Sequence, residues 1–173
     1  MLDISLAVGF LTLLGPSGGP AGARPAAPGV RPLTAQAAAL VAAGRAQSPT
    51  VSALLDQLSR SDVVVYVRFS LALRPPRART TLVNASGHLR YLAITMSLPN
   101  PIAIEMLGHE LAHAVEIASN PHIRSQADLA AFYRSVGRNS TGRRGFDTGW
   151  AIAIQHKVRS ELGRSGSSNG DRG

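Results

Sequence analysis

Residues 100–121 read NPIAIEMLGHELAHAVEIASNP and predict the helix around which the rest of the chain is organised. Asn100-Pro101 is typical of a helix start, because an N-cap residue precedes a proline at the first helical position. Asn120-Pro121 is typical of a helix end. Between these signals, apolar residues recur at helical spacing and predict one buried face, formed by Ile104, Leu107, Leu111, Val115 and Ala118.

The opposite face of this helix carries the pattern H-E-x-x-H at residues 109–113. On a helix, His109 and His113 lie one turn apart and project from one face, so both imidazoles can reach one metal ion. Glu110 lies about 100° around the helix, close enough to act on a water at that ion. Because imidazole nitrogen and carboxylate oxygen are usual zinc ligands, the pattern predicts a Zn2+ site.

Two carboxylates are candidates for the third zinc ligand. Asp147 follows a Gly-rich loop and begins the last predicted helix, so it can approach the ion from a separate element, as tetrahedral geometry requires. Glu116 shares the helix face of the histidines, but it lies seven residues from His109, roughly 10.5 Å along the axis. We therefore predict Asp147 as the ligand, with Glu116 as second choice or as the partner of an imidazole N–H. His122, which follows Pro121, is a further alternative.

The stretch from Leu107 to Glu116 resembles the active-site helix of zinc metallopeptidases of the gluzincin (thermolysin-like) group. It looks closest to small bacterial proteins that carry this helix and little else, and the segment around residues 146–148 resembles them more weakly. The resemblance implies that the two histidines hold zinc and that Glu110 is the general base. It also implies that a carboxylate from a later helix completes the site. Asp147 stands at that position, where the family usually has a glutamate.

Composition narrows the possible classes of protein. The chain has 173 residues, of which 45% are hydrophobic, enough for the core of one domain. It has no cysteine, which excludes a cysteine-based zinc site and a disulfide framework. The net charge is +8, but the arginines are scattered and no nucleic-acid-binding motif accompanies them. We therefore attribute the charge to compositional bias and expect no nucleic-acid partner.

The chain divides into three predicted regions. Residues 1–33 combine an apolar run at 4–14, an A-x-A pattern at 21–23 and a disordered Gly/Pro/Ala-rich linker. Export to the periplasm or medium is expected if residues 1–23 are a signal peptide, and a cytoplasmic location otherwise. The apolar run is too short for a stable membrane span. Residues 34–162 are predicted as a single domain, and residues 163–173 as a disordered tail.

Within the domain, the hydrophobic period predicts an α+β fold. Helices are expected at 34–46 and 50–59, followed by strands at 63–69, 80–83 and 89–96. The turn at 84–87 favours antiparallel pairing of the last two strands. We therefore predict a small antiparallel three-stranded sheet packed on the H-E-x-x-H helix, with further helices at 125–136 and 146–162.

The predicted function is hydrolysis of a peptide or protein by a zinc-activated water, with Glu110 as general base. An edge strand at residues 88–97 could bind an extended peptide by strand addition. Tyr133 could stabilise an oxyanion, although core packing is the preferred interpretation. The alternatives are a non-catalytic zinc-binding protein and a structural or nucleic-acid-binding domain with an incidental H-E-x-x-H pattern. The pattern favours no oligomeric state.

Overall fold

The computed structural model describes residues 27–73, 77–98, 100–136, 138–139 and 146–167. These residues form an α+β fold with five helices and six strands. The helices are α1 (Ala35–Gln47), α2 (Pro49–Ser59), α3 (Ala103–Ala118), α4 (Gln126–Val136) and α5 (Gly149–Ser167). The strands are β1 (Gly29–Pro32), β2 (Val63–Phe69), β3 (Ala78–Ser86), β4 (Leu89–Met96), β5 (Arg138–Asn139) and β6 (Phe146–Asp147).

Four of the strands form one mixed sheet in the order β1-β2-β4-β3. β1 pairs parallel with β2, and β2 pairs parallel with β4. Only β3 and β4 pair antiparallel in this sheet, across a tight turn in which Gly87 has a φ of 57°. The prediction of an antiparallel three-stranded sheet is therefore wrong.

The composition of β1 and β2 explains this error. β1 is only four residues long and lies in a Gly- and Pro-containing stretch, so its own sequence carries little strand signal. β2 begins with Val63-Val64-Val65, all completely buried. A continuous apolar run of this kind, without alternation, is typical of a strand inside a parallel sheet. Residues 29–32, which were assigned to the predicted linker, therefore form a strand of the sheet.

The far end of the domain also differs from the prediction. α5 continues to Ser167, so residues 163–167 are helical and do not belong to a disordered tail. The predicted signal-like segment, residues 1–23, lies outside the described residues. Within the described ranges, no helix combines the length and the apolar character that a bilayer crossing requires.

The edge of the sheet near the H-E-x-x-H helix is β3. Residues 88–97 were expected to form an edge strand, but β4 lies between β2 and β3 and is paired on both sides. That expectation is wrong because β1 and β2 add to the far side of β4. Strand addition to this side of the sheet is open only to β3.

α3 is the central helix of the domain. It begins at Ala103, three residues after Asn100, and buries twelve of its 16 residues. It contacts α1, α2 and α5 as well as strands β2, β3 and β4. The helix that carries His109 and His113 is therefore held on several sides, which fixes the direction of both side chains.

α3 and α5 approach each other closely at Gly108. A Cβ atom at this position would lie 2.8 Å from Cγ2 of Val158, a distance that side chains do not tolerate. Val158 is completely buried and has little room to move. We expect Gly108→Ala to lower the free energy of unfolding by about 1–3 kcal/mol, as overpacking does, when it is measured by urea denaturation.

Gly163→Ala is the matched control for this prediction. Gly163 lies in α5, like Val158, and a Cβ at Gly163 would meet nothing within 4 Å. This substitution is expected to leave stability unchanged or to raise it by up to about 1 kcal/mol, because alanine favours a helix. Equal stability of the Gly108→Ala protein and the wild type would contradict close packing of the two helices.

Arg90 in β4 anchors the C-terminal end of α3. Its guanidinium group is completely buried and binds both carboxylate oxygens of Asp62, at 2.6 and 2.8 Å. It also donates to backbone carbonyls at the end of α3 and just after it, those of Ile117, Ala118, Asn120 and Ile123. The last carbonyls of a helix lack partners within the helix. Arg90 supplies these partners and ties the helix to the sheet.

Candidate metal centre

The two histidines of α3 face each other across one helical turn. Their Nε2 atoms lie 3.1 Å apart, and their rings meet edge to face with centroids 4.8 Å apart. His113 is buried, and the His109 side chain is 13% exposed. Each imidazole therefore directs its own Nε2 atom toward one common point.

Asp147 reaches the same point from a different part of the chain. It lies in β6, which pairs with β5 and ends just before α5. Its Oδ1 atom lies 3.4 Å from Nε2 of His109. One ligand atom each from His109, His113 and Asp147 lies within 4.8 Å of the others, and only this group among the described residues has such an arrangement.

Two of the three separations within this cluster fit a small cation, and the third is no more than 4.8 Å. Two ligand atoms that bind a tetrahedral zinc ion at about 2.0–2.1 Å lie about 3.3 Å from each other. The separations of 3.1 Å between the histidine nitrogens and 3.4 Å to Asp147 are close to that value. The donor set of two imidazoles and one carboxylate also suits zinc.

Glu116 lies behind His113 and not at the convergence point. Its Oε2 atom lies 2.8 Å from Nδ1 of His113, the ring nitrogen on the far side from the cluster. Its other carboxylate oxygen accepts a hydrogen bond from the Thr148 hydroxyl. Thr148, the residue after Asp147, therefore holds the Glu116 carboxylate that orients His113. An arrangement of this kind sets the tautomer of a metal-binding histidine.

The second ring nitrogen of His109 has a different environment. Its Nδ1 atom is buried, and no atom in the described part of the chain forms a hydrogen bond with it. Every polar contact of the His109 ring therefore involves Nε2, which faces His113 and Asp147.

Glu110 lies beside the cluster on the adjacent face of α3. It is 6% exposed, and its Oε2 atom lies 2.7 Å from the Thr80 hydroxyl of β3. The same hydroxyl lies 3.1 Å from the backbone carbonyl oxygen of Glu110. The carboxylate is thus held between the helix and the edge strand.

Burial and the neighbouring charges shift the proton affinities of the site. Burial lowers the pKa of the His109 imidazole, and the nearby His113 lowers it further, which favours the neutral form that binds metals. Burial also acts to lower the pKa of His113. The hydrogen bond to Glu116 and the surrounding carboxylates outweigh it and raise the pKa of His113 above its ordinary value. The carboxylates therefore favour a positive charge at this point.

The cluster opens into a cleft of about 390 Å³. Residues 78–81 of β3 form one wall, and α4 contributes another through Gln126, Leu129, Ala130 and Tyr133. Tyr133 is 8% exposed, belongs to the hydrophobic core, and packs edge to face on His113 at 5.4 Å. Burial raises the pKa of its phenol. Tyr133 is thus both a core residue and part of the cleft wall.

The edge of β3 that does not pair with β4 borders this cleft, and Gln126 of α4 donates to the Leu82 carbonyl there. Ser97 donates a backbone hydrogen bond of 2.7 Å to the carbonyl of Arg77, which lies just before β3. In an antiparallel ladder, alternate residues point their backbone groups toward the partner strand. The backbone N–H and C=O groups of residues 79 and 81 therefore point toward β4, and those of Ala78 and Thr80 point away from it. The polar backbone at this edge lies next to Glu110.

The fold brings together some of the predicted site residues and separates others. His109, Glu110, His113 and Asp147 all line the cleft. Glu116 lies next to an imidazole nitrogen, which is the second of the two positions predicted for it. The alternative ligand His122 is exposed and lies outside the cluster. Whether the cluster binds zinc stays a prediction.

Sequence reasoning missed the two threonines of the site. Thr80 and Thr148 lie 30 and 32 residues from the carboxylates that they contact, so no local pattern links them. Thr148 did carry one signal, because a threonine before a helix is a typical N-cap. Its hydroxyl accepts a hydrogen bond from the backbone N–H of Ala151 in α5.

No protein-family model matches the chain, and no curated protein or solved structure matches it either.

Proposed function

We propose that this protein is a zinc-dependent peptidase. The observation that carries the proposal is the convergence of His109 Nε2, His113 Nε2 and an Asp147 carboxylate oxygen beside the buried carboxylate of Glu110. Three protein ligands with one open position are typical of catalytic zinc sites, whereas structural sites usually have four protein ligands.

The three converging side chains would hold the metal. Zinc bound there would supply a Lewis acid that polarises a carbonyl group and makes water a better nucleophile near neutral pH. Glu116 and Thr148 hold the His113 ring in the orientation that directs Nε2 to the convergence point. Asp147 would bind from a segment outside α3, which would give a non-planar ligand set.

Glu110 would act as the general base. Burial raises the pKa of its carboxyl, which suits a group that must take up a proton and give it back. It takes a proton from the attacking water as the oxygen of that water bonds to the peptide carbonyl carbon. It then passes the proton to the amine nitrogen as the C–N bond breaks. The chemistry therefore needs Glu110 close to the ion but not bound to it.

The edge of β3 fits an extended peptide as substrate. The backbone groups of Ala78 and Thr80 point away from β4, and both residues line the cleft. A peptide paired with them would lie near Glu110. Strand addition of this type derives its affinity from main-chain hydrogen bonds, which makes little demand on the peptide sequence. The proposed substrate class is thus an unfolded or flexible peptide segment.

The second candidate is a zinc-binding protein without hydrolytic activity. The observation that favours it is the low exposure of Glu110, 6%, which limits access to the carboxylate. The two candidates differ in one assay. The zinc-loaded protein should hydrolyse an unstructured peptide if the first proposal is right, and a chelator should stop the reaction until zinc is restored. A zinc-loaded protein that cleaves no peptide would favour the second candidate.

The identity of the third ligand gives a further prediction. Asp147→Ala is expected to weaken zinc binding more than Glu116→Ala, because the first change removes a ligand and the second removes a partner of a ligand. Loss of such a partner typically costs about 10- to 100-fold in metal affinity. Competition with a chromophoric chelator measures both affinities.

Asp56→Ala is the control for these two variants. Asp56 is an acidic residue of α2 that pairs with Arg45 at the surface, away from the cluster. Its removal should leave the zinc affinity unchanged. A larger loss in the Glu116 variant than in the Asp147 variant would assign the third ligand to Glu116.

A further inference from the structure

Thr80 is the residue of β3 whose side chain contacts Glu110. Its hydroxyl oxygen lies 2.7 Å from Oε2 and 3.1 Å from the backbone carbonyl oxygen of that glutamate. Building on the proposed peptidase activity, we propose that the Thr80 hydroxyl is the positioning group of Glu110 and holds its carboxyl group in one place before and after proton transfer.

The hydroxyl of Thr80 contacts one of the two carboxyl oxygens of Glu110. Thr80 Oγ1 donates its hydrogen to Oε2, which leaves Oε1 to take a proton from water and to give it to the amine. A carboxylic acid that carries its proton on Oε1 still offers Oε2 as an acceptor. The same pair of residues therefore remains hydrogen-bonded in both states.

The position of Thr80 is set by the sheet and not by the metal ligands. Thr80 lies opposite Ile94 of β4, and its neighbours 79 and 81 pair with the same strand. Ile94 is completely buried in the core. Thr80 is therefore a fixed point from which Glu110 can be held, and removal of its hydroxyl should not disturb zinc binding.

Thr80 also links the proposed base to the proposed substrate edge. Its backbone groups point away from β4, the residue lines the cleft, and its hydroxyl contacts Glu110. A substitution that removes only the hydroxyl leaves the backbone edge intact. Such a change should slow the chemical step and leave peptide binding unaltered.

The experiment compares Thr80→Val, Thr80→Ser and wild type, each zinc-loaded, in hydrolysis of one unstructured peptide. Valine has the shape of threonine and suits a strand, but it has no hydroxyl. We expect Thr80→Val to lower kcat by about 10- to 100-fold, with KM and zinc content close to wild type. Thr80→Ser keeps the hydroxyl and should recover most of kcat.

Thr95→Val is the matched control. The hydroxyl of Thr95 in β4 accepts a hydrogen bond of 3.1 Å from Nε of Arg68, and Thr95 does not line the cleft. This variant should keep the wild-type kcat and KM. Circular dichroism checks that each variant is folded, and Thr80→Ala replaces Thr80→Val in the comparison if the valine variant does not fold.

The outcomes separate this inference from the peptidase proposal. If the wild type hydrolyses the peptide and the variant without the hydroxyl has an equal kcat, the positioning role is overturned and the peptidase proposal stands. The same holds if Thr80→Ser is as slow as that variant, or if the loss lies entirely in KM. If the zinc-loaded wild type cleaves no peptide, both are overturned.

Discussion

Glu110→Gln is expected to retain zinc and to lose peptide hydrolysis, with kcat falling by about 100- to 10,000-fold, the usual contribution of a general base. Glutamine has nearly the shape of glutamate, but its amide cannot take a proton from water. The atoms that could hold the ion belong to His109, His113 and Asp147, so this substitution leaves the proposed metal-binding groups in place. The Thr80 hydroxyl can still donate to the amide oxygen, which keeps the side chain oriented.

The measurement pairs steady-state kinetics on an unstructured peptide with elemental analysis of the same preparation. Glu105→Gln is the control, because Glu105 is a buried glutamate of the same helix that binds Arg159 and does not line the cleft. It should keep both zinc and activity. Equal kcat for Glu110→Gln and wild type would remove Glu110 from the role of base.

Arg90→Met is expected to lower the free energy of unfolding by about 2–4 kcal/mol, because each buried acceptor that loses its donor costs about 1–3 kcal/mol. Methionine fills part of the space but makes none of the hydrogen bonds. The substitution leaves the Asp62 carboxylate without its cation and the carbonyls at the end of α3 without their donor. Each buried group that loses its partner adds to the loss of stability.

Urea denaturation followed by circular dichroism measures this loss. Arg45→Met is the matched control, because Arg45 and Asp56 form an ion pair at 2.8 Å in which both side chains are about half exposed. Surface pairs of this kind contribute at most about 1 kcal/mol. Similar losses in the two variants would contradict a special role for Arg90 at the end of α3.

Local rules in the sequence account for the centre of the fold. The apolar spacing and the i, i+4 histidines require a helix with a buried back and a polar front, and α3 has that form. Asp147 could be proposed from the length of the preceding loop, because the loop allows a return to α3. The length of the loop indicates only that Asp147 can reach α3. It does not give the separation of 3.4 Å between Asp147 and His109.

Features that depend on distant partners could not be derived in the same way. β1 becomes a strand only because β2 offers its edge, and the order of the strands follows from how the whole sheet packs on α3. Arg90 looked like one of many scattered arginines, yet four of its acceptors are backbone carbonyls, which carry no sequence signature. The role of Thr80 could not be predicted either, because its partner Glu110 is distant in the sequence.

The zinc content of the purified protein shows whether His109, His113 and Asp147 form a metal site. Elemental analysis of the wild type, His113→Ala and His156→Ala compares a member of the cluster with an exposed histidine of α5 outside it. About one zinc per chain is expected in the wild type and in His156→Ala, and close to none in His113→Ala. Equal zinc in the wild type and His113→Ala, or no zinc in the wild type, would contradict this expectation.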